Sequence, residues 1–304
     1  MYKLEKYGEI FMTQKIALIN DIKTRIPGTR TFWHFLEDTL DANFISTKKW
    51  FWRRHLVKFN PDVIIQNAFW GDLKIPKKPI IMLIQDNYHA LMKYDLLDKT
   101  ACNKQIQKIT TAVNVADFVV VNVNSLLRLY DIPKEKGCWI PMGIDSSIFY
   151  PSLDERNQTR KELGITGQCI IFVGDETLIH GWDQVKLKIE ENNNIDWILV
   201  SKNNPFSIEG KNIRKFCNID HNMLRKLYNA SDLFFARGSI GLPAIEAMLC
   251  GTKVDVTHDI GYFEDWYPEN KDPRSEVFAA GFDLKDTINK WKEIVIKISQ
   301  DYKS

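Results

Sequence analysis

The sequence predicts an α/β chain of two parallel-sheet domains, and three observations carry that expectation. Short apolar runs alternate with helical stretches from Lys15 onward, which implies parallel strands joined by right-handed crossovers. The alternation pauses over Met142–Leu153, a linker with Gly143, Pro151 and few core candidates, and restarts at Cys169. Near the end of the second series, Asp232–Val256 (DLFFARGSIGLPAIEAMLCGTKVDV) reads as strand, loop, helix, turn and strand. At 304 residues the chain is long enough for two domains of ordinary size.

Taken in order, Lys15–Asn20 (KIALIN) is the first buried strand, and the loop Asp21–Arg30 carries Gly28 and Thr29 between Arg25 and Arg30. Thr31–Leu40 reads as a helix with Phe32, Phe35, Leu36 and Leu40 on one face. A short strand Asn43–Ser46 precedes a basic aromatic helix, Thr47–Phe59 (TKKWFWRRHLVKF). Its Trp50, Trp52, Arg53 and Arg54 suit a membrane surface or an exposed base; the plainer expectation is an amphipathic helix with Phe51, Leu56 and Phe59 in the core. Asp62–Gln66 and Pro79–Gln85 are further buried strands, the latter followed by Asp86-Asn87-Tyr88-His89. Asn103–Val115 is helical, Asp117–Val123 a strand, Ser125–Tyr130 a short helix, and Cys138–Pro141 returns to the sheet. In the second half, Cys169–Val173, ending in Gly174, and Trp197–Ser201 are strands, and Gly181–Glu191 and Met223–Tyr228 are helices. Lys285–Tyr302 is a last amphipathic helix with Ile288, Trp291, Ile294, Val295 and Ile298 on one stripe.

The Asp232–Val256 unit carries the chemistry. Pro243 suits a first helical turn and Gly251 a helix end. Such a unit aims a helix N-terminus out of the carboxyl edge of a parallel sheet, where free N–H groups and the helix dipole favour an anion. Gly241 lets a ligand approach the backbone. Glu246, about one turn further in, either accepts hydrogen bonds from a ribose diol or is a solvated or capping carboxylate.

Composition narrows the class. Apolar runs fall far short of a membrane span, and the opening MYKLEKYGEIF lacks a secretory core, so a cytoplasmic protein is expected. The five cysteines are scattered, no pair has metal spacing, and no metal site is expected. Residues 1–150 hold 21 Lys and Arg against 15 Asp and Glu, and the remainder 20 against 24, so the first half is the basic one. That asymmetry favours an anionic acceptor or surface, although ordinary charge scatter gives the same count. No G-x-G-x-x-G follows a strand, which sets a dinucleotide-dependent oxidoreductase aside.

GLPAIEAMLCGTKV (Gly241–Val254) resembles the signature of retaining GT-B glycosyltransferases of the family-four, or group 1, type, whose usual form is close to EGFGLPALEAMACGTPV. WIPMGIDSSIFYPS (Trp139–Ser152) is similar to their interdomain IPNGVDTERFRP segment, and the stretch from Asp117 to Tyr130 to ADRVIAVSEALRREL. The resemblance implies a GT-B fold: two Rossmann-like domains with parallel sheets facing an interdomain cleft. Residues 1–148 would then be the acceptor domain, 149–284 the donor domain, and 285–304 a terminal helix packing back on the first domain. It also implies a metal-independent, retaining transfer of a hexose from a UDP- or GDP-linked sugar. Acceptors of such enzymes are most often glycan or lipid-linked; the basic first half also permits peripheral membrane contact or a hydroxylated nucleic-acid base. The resemblance places Glu246 on the ribose, Gly241 and Leu242 as backbone donors, and Gly28 and Thr29 beside the diphosphate.

Four positions depart from that pattern. Gly174 is followed by Asp175 and Glu176 where relatives carry Arg, and His180 stands where they carry Lys. A like charge at about 4 Å opposes a diphosphate by roughly 1–4 kcal/mol at the dielectrics of water and a protein surface. Counting back from Glu246, the sugar-contacting Glu of relatives is Gly238. Gln85 stands where relatives place a His near the donor sugar, and His89 is its candidate replacement. Arg237, with Lys202 or His180, is the candidate positive charge; Arg237, His89 and Asp86 are the candidate catalytic residues. A relative that kept the fold and lost catalysis, acting as a nucleotide-sugar binder or scaffold, is the competing reading.

Overall fold

A computed structural model of the chain describes residues 14–20, 33, 36–47, 51–68, 78–85, 87–238, 241–256 and 268–302. Gly28, Thr29 and Asp86 lie outside the described residues, as do Arg25, Arg30 and Trp50. Two compact units are formed, one from Met1–Tyr88, Thr100–Gly143 and Lys285–Ser304, the other from His89–Lys99 and Ile144–Leu284.

The first unit holds a six-stranded sheet of order β2-β1-β3-β4-β5-β6, parallel throughout. Its strands are β1 (Ile16–Asn20), β2 (Asn43–Ser46), β3 (Val63–Asn67), β4 (Ile80–Ile84), β5 (Phe118–Val121) and β6 (Gly137–Trp139). The inner strands are continuous Ile, Leu and Val runs because both faces are covered. Ile16, Leu18, Val63, Ile65, Ile81, Leu83, Phe118 and Val120 share one face with Trp33, Leu36 and Leu40. Trp291, Val295 and Ile298 of the helix Leu284–Asp301 complete that core. Each such side chain contributes roughly 1.5–3 kcal/mol on burial.

On the opposite face Ala17, Ile19 and Ile64 meet Ile45 and Leu56, with Trp52 and Phe59 packed against them. Phe51, expected in this core, is instead 50% exposed. It is the cap residue before the helix Trp52–Phe59, so it falls off the i, i+4, i+7 stripe of Trp52, Leu56 and Phe59.

The second unit holds a five-stranded parallel sheet of order β11-β10-β7-β8-β9. Its strands are β7 (Cys169–Val173), β8 (Asp196–Ser201), β9 (Ile213–Cys217), β10 (Leu233–Phe235) and β11 (Lys253–Asp255). The chain enters at β7, runs outward through β8 to β9, then returns to the other side of β7. The switch point between β7 and β10 is where open sheets of this kind bind ligands, beyond the carboxyl ends. The base of this pair is fixed by Asp232, which accepts from Cys169 N at 2.8 Å and pairs with Arg156 (2.5 Å) and Arg160 (3.3 Å).

Several elements escape the sequence reading, among them the helices Tyr88–Lys93 and Pro273–Ala279. Strand β9 is IRKFC, an edge strand whose Arg214 and Lys215 interrupt its apolar pattern. The helix Leu153–Leu163 (LDERNQTRKEL) begins inside the stretch read as linker; Ser152 caps it by accepting from Glu155 N, and Gly164 ends it.

Candidate functional site

The carboxyl edge of the β7–β10 pair gathers most of the residues singled out in the second half. The helix Leu242–Leu249 follows β10 with Gly241 at its cap and Pro243 in its first turn. Gly241 has no side chain to satisfy the free N–H groups of that turn, and it is exposed. Leu242 is partly buried beside it. One turn in, Glu246 keeps a partly exposed edge and accepts a hydrogen bond from Tyr228 Oη at 3.1 Å. Burial pushes its pKa up to about 7, against the opposing effect of the Tyr228 hydrogen bond. Tyr228 is itself driven far above its ordinary value, first by burial and then by the Glu246 charge. A carboxylate held this way can accept two further hydrogen bonds, as a vicinal diol would supply.

Tyr228 was not legible as a site residue. It lies in the helix His221–Ala230, started by Asp220, which accepts from Met223 N. Arg225 of that helix grips Glu155 through both carboxylate oxygens at 3.0 and 2.7 Å, which holds the helix and Tyr228 in place.

His180 sits in the short 3-10 turn Leu178–His180 after β7. Its Nδ1 accepts from Asp175 N at 3.0 Å and lies 3.1 Å from Thr177 Oγ1. With Nδ1 accepting from the main chain, Nε2 is the ring nitrogen left to donate. Glu176 is turned aside: its Oε1 accepts from Ser207 N and Ser207 Oγ, both at 2.8 Å. Phe206, next to Ser207, stacks with Trp182 at 4.8 Å. Glu176 is therefore committed to the segment after β8, which lessens its repulsion toward an anion.

Arg237 follows β10. Its guanidinium pairs with Asp255 at 2.6 Å, donates to Asp255 O at 3.0 Å and Ala236 O at 3.2 Å, and lies over the Phe235 ring. Arg237 is thus fastened to the end of β11; a role with a bound phosphate requires it to keep Asp255 as partner. Lys202, after β8, is exposed. His89 lies in the helix Tyr88–Lys93, and burial lowers its pKa, which favours the neutral ring near neutral pH.

The missing glutamate has a physical cause. A Cβ on Gly238 would run into the Ile179 carbonyl oxygen and stand 2.5 Å from both Gly181 N and His180 C. Gly181, at φ +71°, packs equally closely on the Arg237 backbone. Two loops lie backbone against backbone, so the 178–181 turn fills the space a side chain at 238 would need.

Among the described residues, no helix is long and apolar enough to cross a membrane. Arg53 and Arg54 are exposed, their guanidinium groups lying over the rings of Trp52 (5.2 Å) and Phe51 (5.4 Å). Cys102, Cys169 and Cys250 are buried and not disulfide-bonded.

No family model matches the sequence, and no curated protein matches it. Solved structures do. Sucrose-phosphate synthase from Thermosynechococcus elongatus superposes with a TM-score of 0.76 at 16% identity, covering 94% of this chain and 99% of that one. Anabaena HepE in complex with UDP-glucose gives 0.59 at 13% identity, covering 95% and 98%. WaaG, a glycosyltransferase involved in lipopolysaccharide biosynthesis, gives 0.60 at 13%, covering 91% and 95%. At these identities the likeness concerns fold. Two parallel α/β sheets, the switch point between β7 and β10 and these neighbours agree: the chain has the GT-B fold.

Proposed function

We propose that the chain is a glycosyltransferase that moves a hexose from a nucleotide-diphosphate sugar to an acceptor hydroxyl with retention. The observation that carries the reading is the uncapped start of the helix Leu242–Leu249 with Glu246 one turn in, held by Tyr228 at the switch point. Glu246 takes the ribose diol of the donor. Gly241 and Leu242 N–H groups, with the helix dipole, take the diphosphate. His180 Nε2–H donates to a phosphate oxygen, and Lys202 adds charge from the end of β8. Gly28 and Thr29, with Asp86 and His89, are the first-half candidates beside the donor. Structures of HepE with UDP-glucose, and with UDP and glucose, support a nucleotide-sugar donor on this fold. GDP-linked donors stay within the proposal.

The chemistry asks for leaving-group stabilisation and positioning. The bond from the anomeric carbon to the diphosphate oxygen breaks, and its electron pair goes to the nucleotide. The acceptor oxygen bonds to the same face and its proton passes to the departing diphosphate oxygen. Donors fixed around the developing phosphate charge lower the barrier because they need no reorganisation. Arg237 assists through its Asp255-anchored guanidinium. The acceptor is a glycan or lipid-linked sugar; membrane or nucleic-acid contact through the basic first half, and a cytoplasmic setting, belong to the same proposal.

A nucleotide-sugar binder without transfer is the second reading, favoured by Gly238 and by the commitment of Arg237 to Asp255. Thermal shift with UDP, GDP, ADP, UDP-glucose, UDP-GlcNAc and GDP-mannose tests the donor site. A ligand at a hundred times its Kd stabilises by ~2.7 kcal/mol. Stabilisation by one nucleotide class that Glu246→Ala abolishes supports the site; none, in folded protein, removes it. Release of nucleotide with retained anomeric configuration by NMR separates the enzyme from the binder.

A further inference from the structure

The carboxyl edge of the first sheet is lined by amides. Its four inner neighbours β1, β3, β4 and β5 each run into a carboxamide at the carboxyl edge: Asn20, Asn67, Gln85 and Asn122. All four fall on one face. Ile16 and Leu18, Val63 and Ile65, Ile81 and Leu83, and Phe118 and Val120 share a core, and the next alternate residue on each strand is the amide. The row is continuous. Asn67 Nδ2 donates to Gln85 Oε1 at 2.9 Å, and Asn122 N donates to Ile84 O at 3.0 Å, which sets Asn122 beside Gln85.

The row is withdrawn from water yet not self-sufficient. Asn122 is 1% exposed and neither of its side-chain polar atoms has a partner. Its main chain is fully used, the N–H on Ile84 and the carbonyl oxygen accepting from Trp139 Nε1 at 3.0 Å. Gln85 Oε1 accepts from both Asn67 and Trp33 Nε1 (3.1 Å), while its Nε2 has no acceptor. Buried amides in native folds are almost always paired, and an orphaned one destabilises the fold unless something else completes it. Gln85 as a residue is partly exposed and stands nearest the surface of the row, although its Nε2 is buried.

We propose that Asn122 and Gln85, with Asn67 behind them, form a binding site for an uncharged, hydroxyl-rich ligand, a sugar ring or polyol. Each unpartnered carboxamide offers donors or acceptors at a fixed spacing and no charge. A hydroxyl both donates and accepts, so adjacent ring hydroxyls complete Asn122 on both atoms and Gln85 on its nitrogen. The row contains no ionisable group, so it reads the neutral part of its ligand despite the positive surplus of residues 1–150. The site stands on the first unit alone; only its use, to seat the acceptor sugar, rests on the proposed glycosyl transfer.

Isothermal titration of the full chain, with and without saturating UDP, tests this with glucose, fructose and maltose as neutral probes and glucose 6-phosphate as the anionic one. At least one neutral probe binds the wild type. Asn122→Leu, of similar volume, weakens it tenfold or more while raising the unfolding midpoint of the sugar-free protein and leaving UDP affinity unchanged. Gln85→Leu, nearest the surface, is the second variant and weakens sugar binding should Asn122→Leu fold poorly. No neutral probe binding, or sugar affinity indifferent to both variants, overturns the site. Binding of the phosphorylated sugar alone also overturns it. Sugar binding without any nucleotide binding leaves this site standing and removes the donor site instead.

Discussion

Replacing Glu246 by Gln gives the sharpest test of the donor site. The carboxyl group rises from an ordinary value of 4.5 to about 7 because it is buried, with Tyr228 alone pulling the other way. The folded state therefore holds its proton where the unfolded state has released it. Stability falls as pH rises from about 4.5 to about 7 and is flat above. The shift of about 2.5 units corresponds to roughly 3 kcal/mol at 1.36 kcal/mol per unit, and the partly exposed edge lowers this to roughly 2–3 kcal/mol. Glu246→Gln keeps the shape and removes the titration. Denaturant midpoints of the two proteins should diverge by that amount between pH 5 and pH 8, with the variant the more stable at pH 8. A ribose diol donates to the ionised form, so UDP affinity of the wild type should rise toward pH 8 relative to the variant, which should bind more weakly at pH 8. Parallel stability curves across this range would refute the burial argument; parallel UDP affinities would refute the ribose assignment.

Further outcomes follow from the same geometry. Gly238→Ala should destabilise the chain by roughly 1–3 kcal/mol in urea unfolding, since its Cβ meets backbone rather than a movable side chain. Asp255→Asn should cost under about 1 kcal/mol of stability, because its pair with Arg237 is partly exposed; if Arg237 acts on the leaving group, kcat falls while the donor KM holds. Asp232→Ala should cost about 2–4 kcal/mol by calorimetry, for it strips two arginines and Cys169 N of their acceptor. His180→Phe should weaken UDP binding about five- to tenfold by removing a hydrogen-bond donor, read by titration of UDP into the two proteins.

The sequence made the sheets legible because their strands are apolar runs and their helices carry clear stripes; Ile288, Trp291, Val295 and Ile298 are buried as their spacing required. Glu246 was legible through the strand–helix pattern around it. What stayed hidden depends on contacts distant in sequence. Tyr228 meets Glu246 across eighteen positions, Ser207 meets Glu176 across thirty-one, and Asp255 meets Arg237 across eighteen; nothing local marks them. Phe51 misled because a basic aromatic run has several candidate stripes, and only the helix start at Trp52 selects among them. The carboxamide row was invisible because each amide ends its own strand, and only strand order brings them together.

The helix Leu284–Asp301 also bears on how the protein is made. Its Trp291, Val295 and Ile298 belong to the core of a unit whose strands are all finished by Trp139. A ribosome working at about 5–20 residues per second needs on the order of ten to thirty seconds to reach them. Throughout that interval the face shared with Trp33, Leu36 and Leu40 lacks the rest of its cover, while the intervening unit can already fold. The second unit is thus expected to mature first, and a chain released a few turns early would leave the first unit sticky, a ready client for chaperones and proteases.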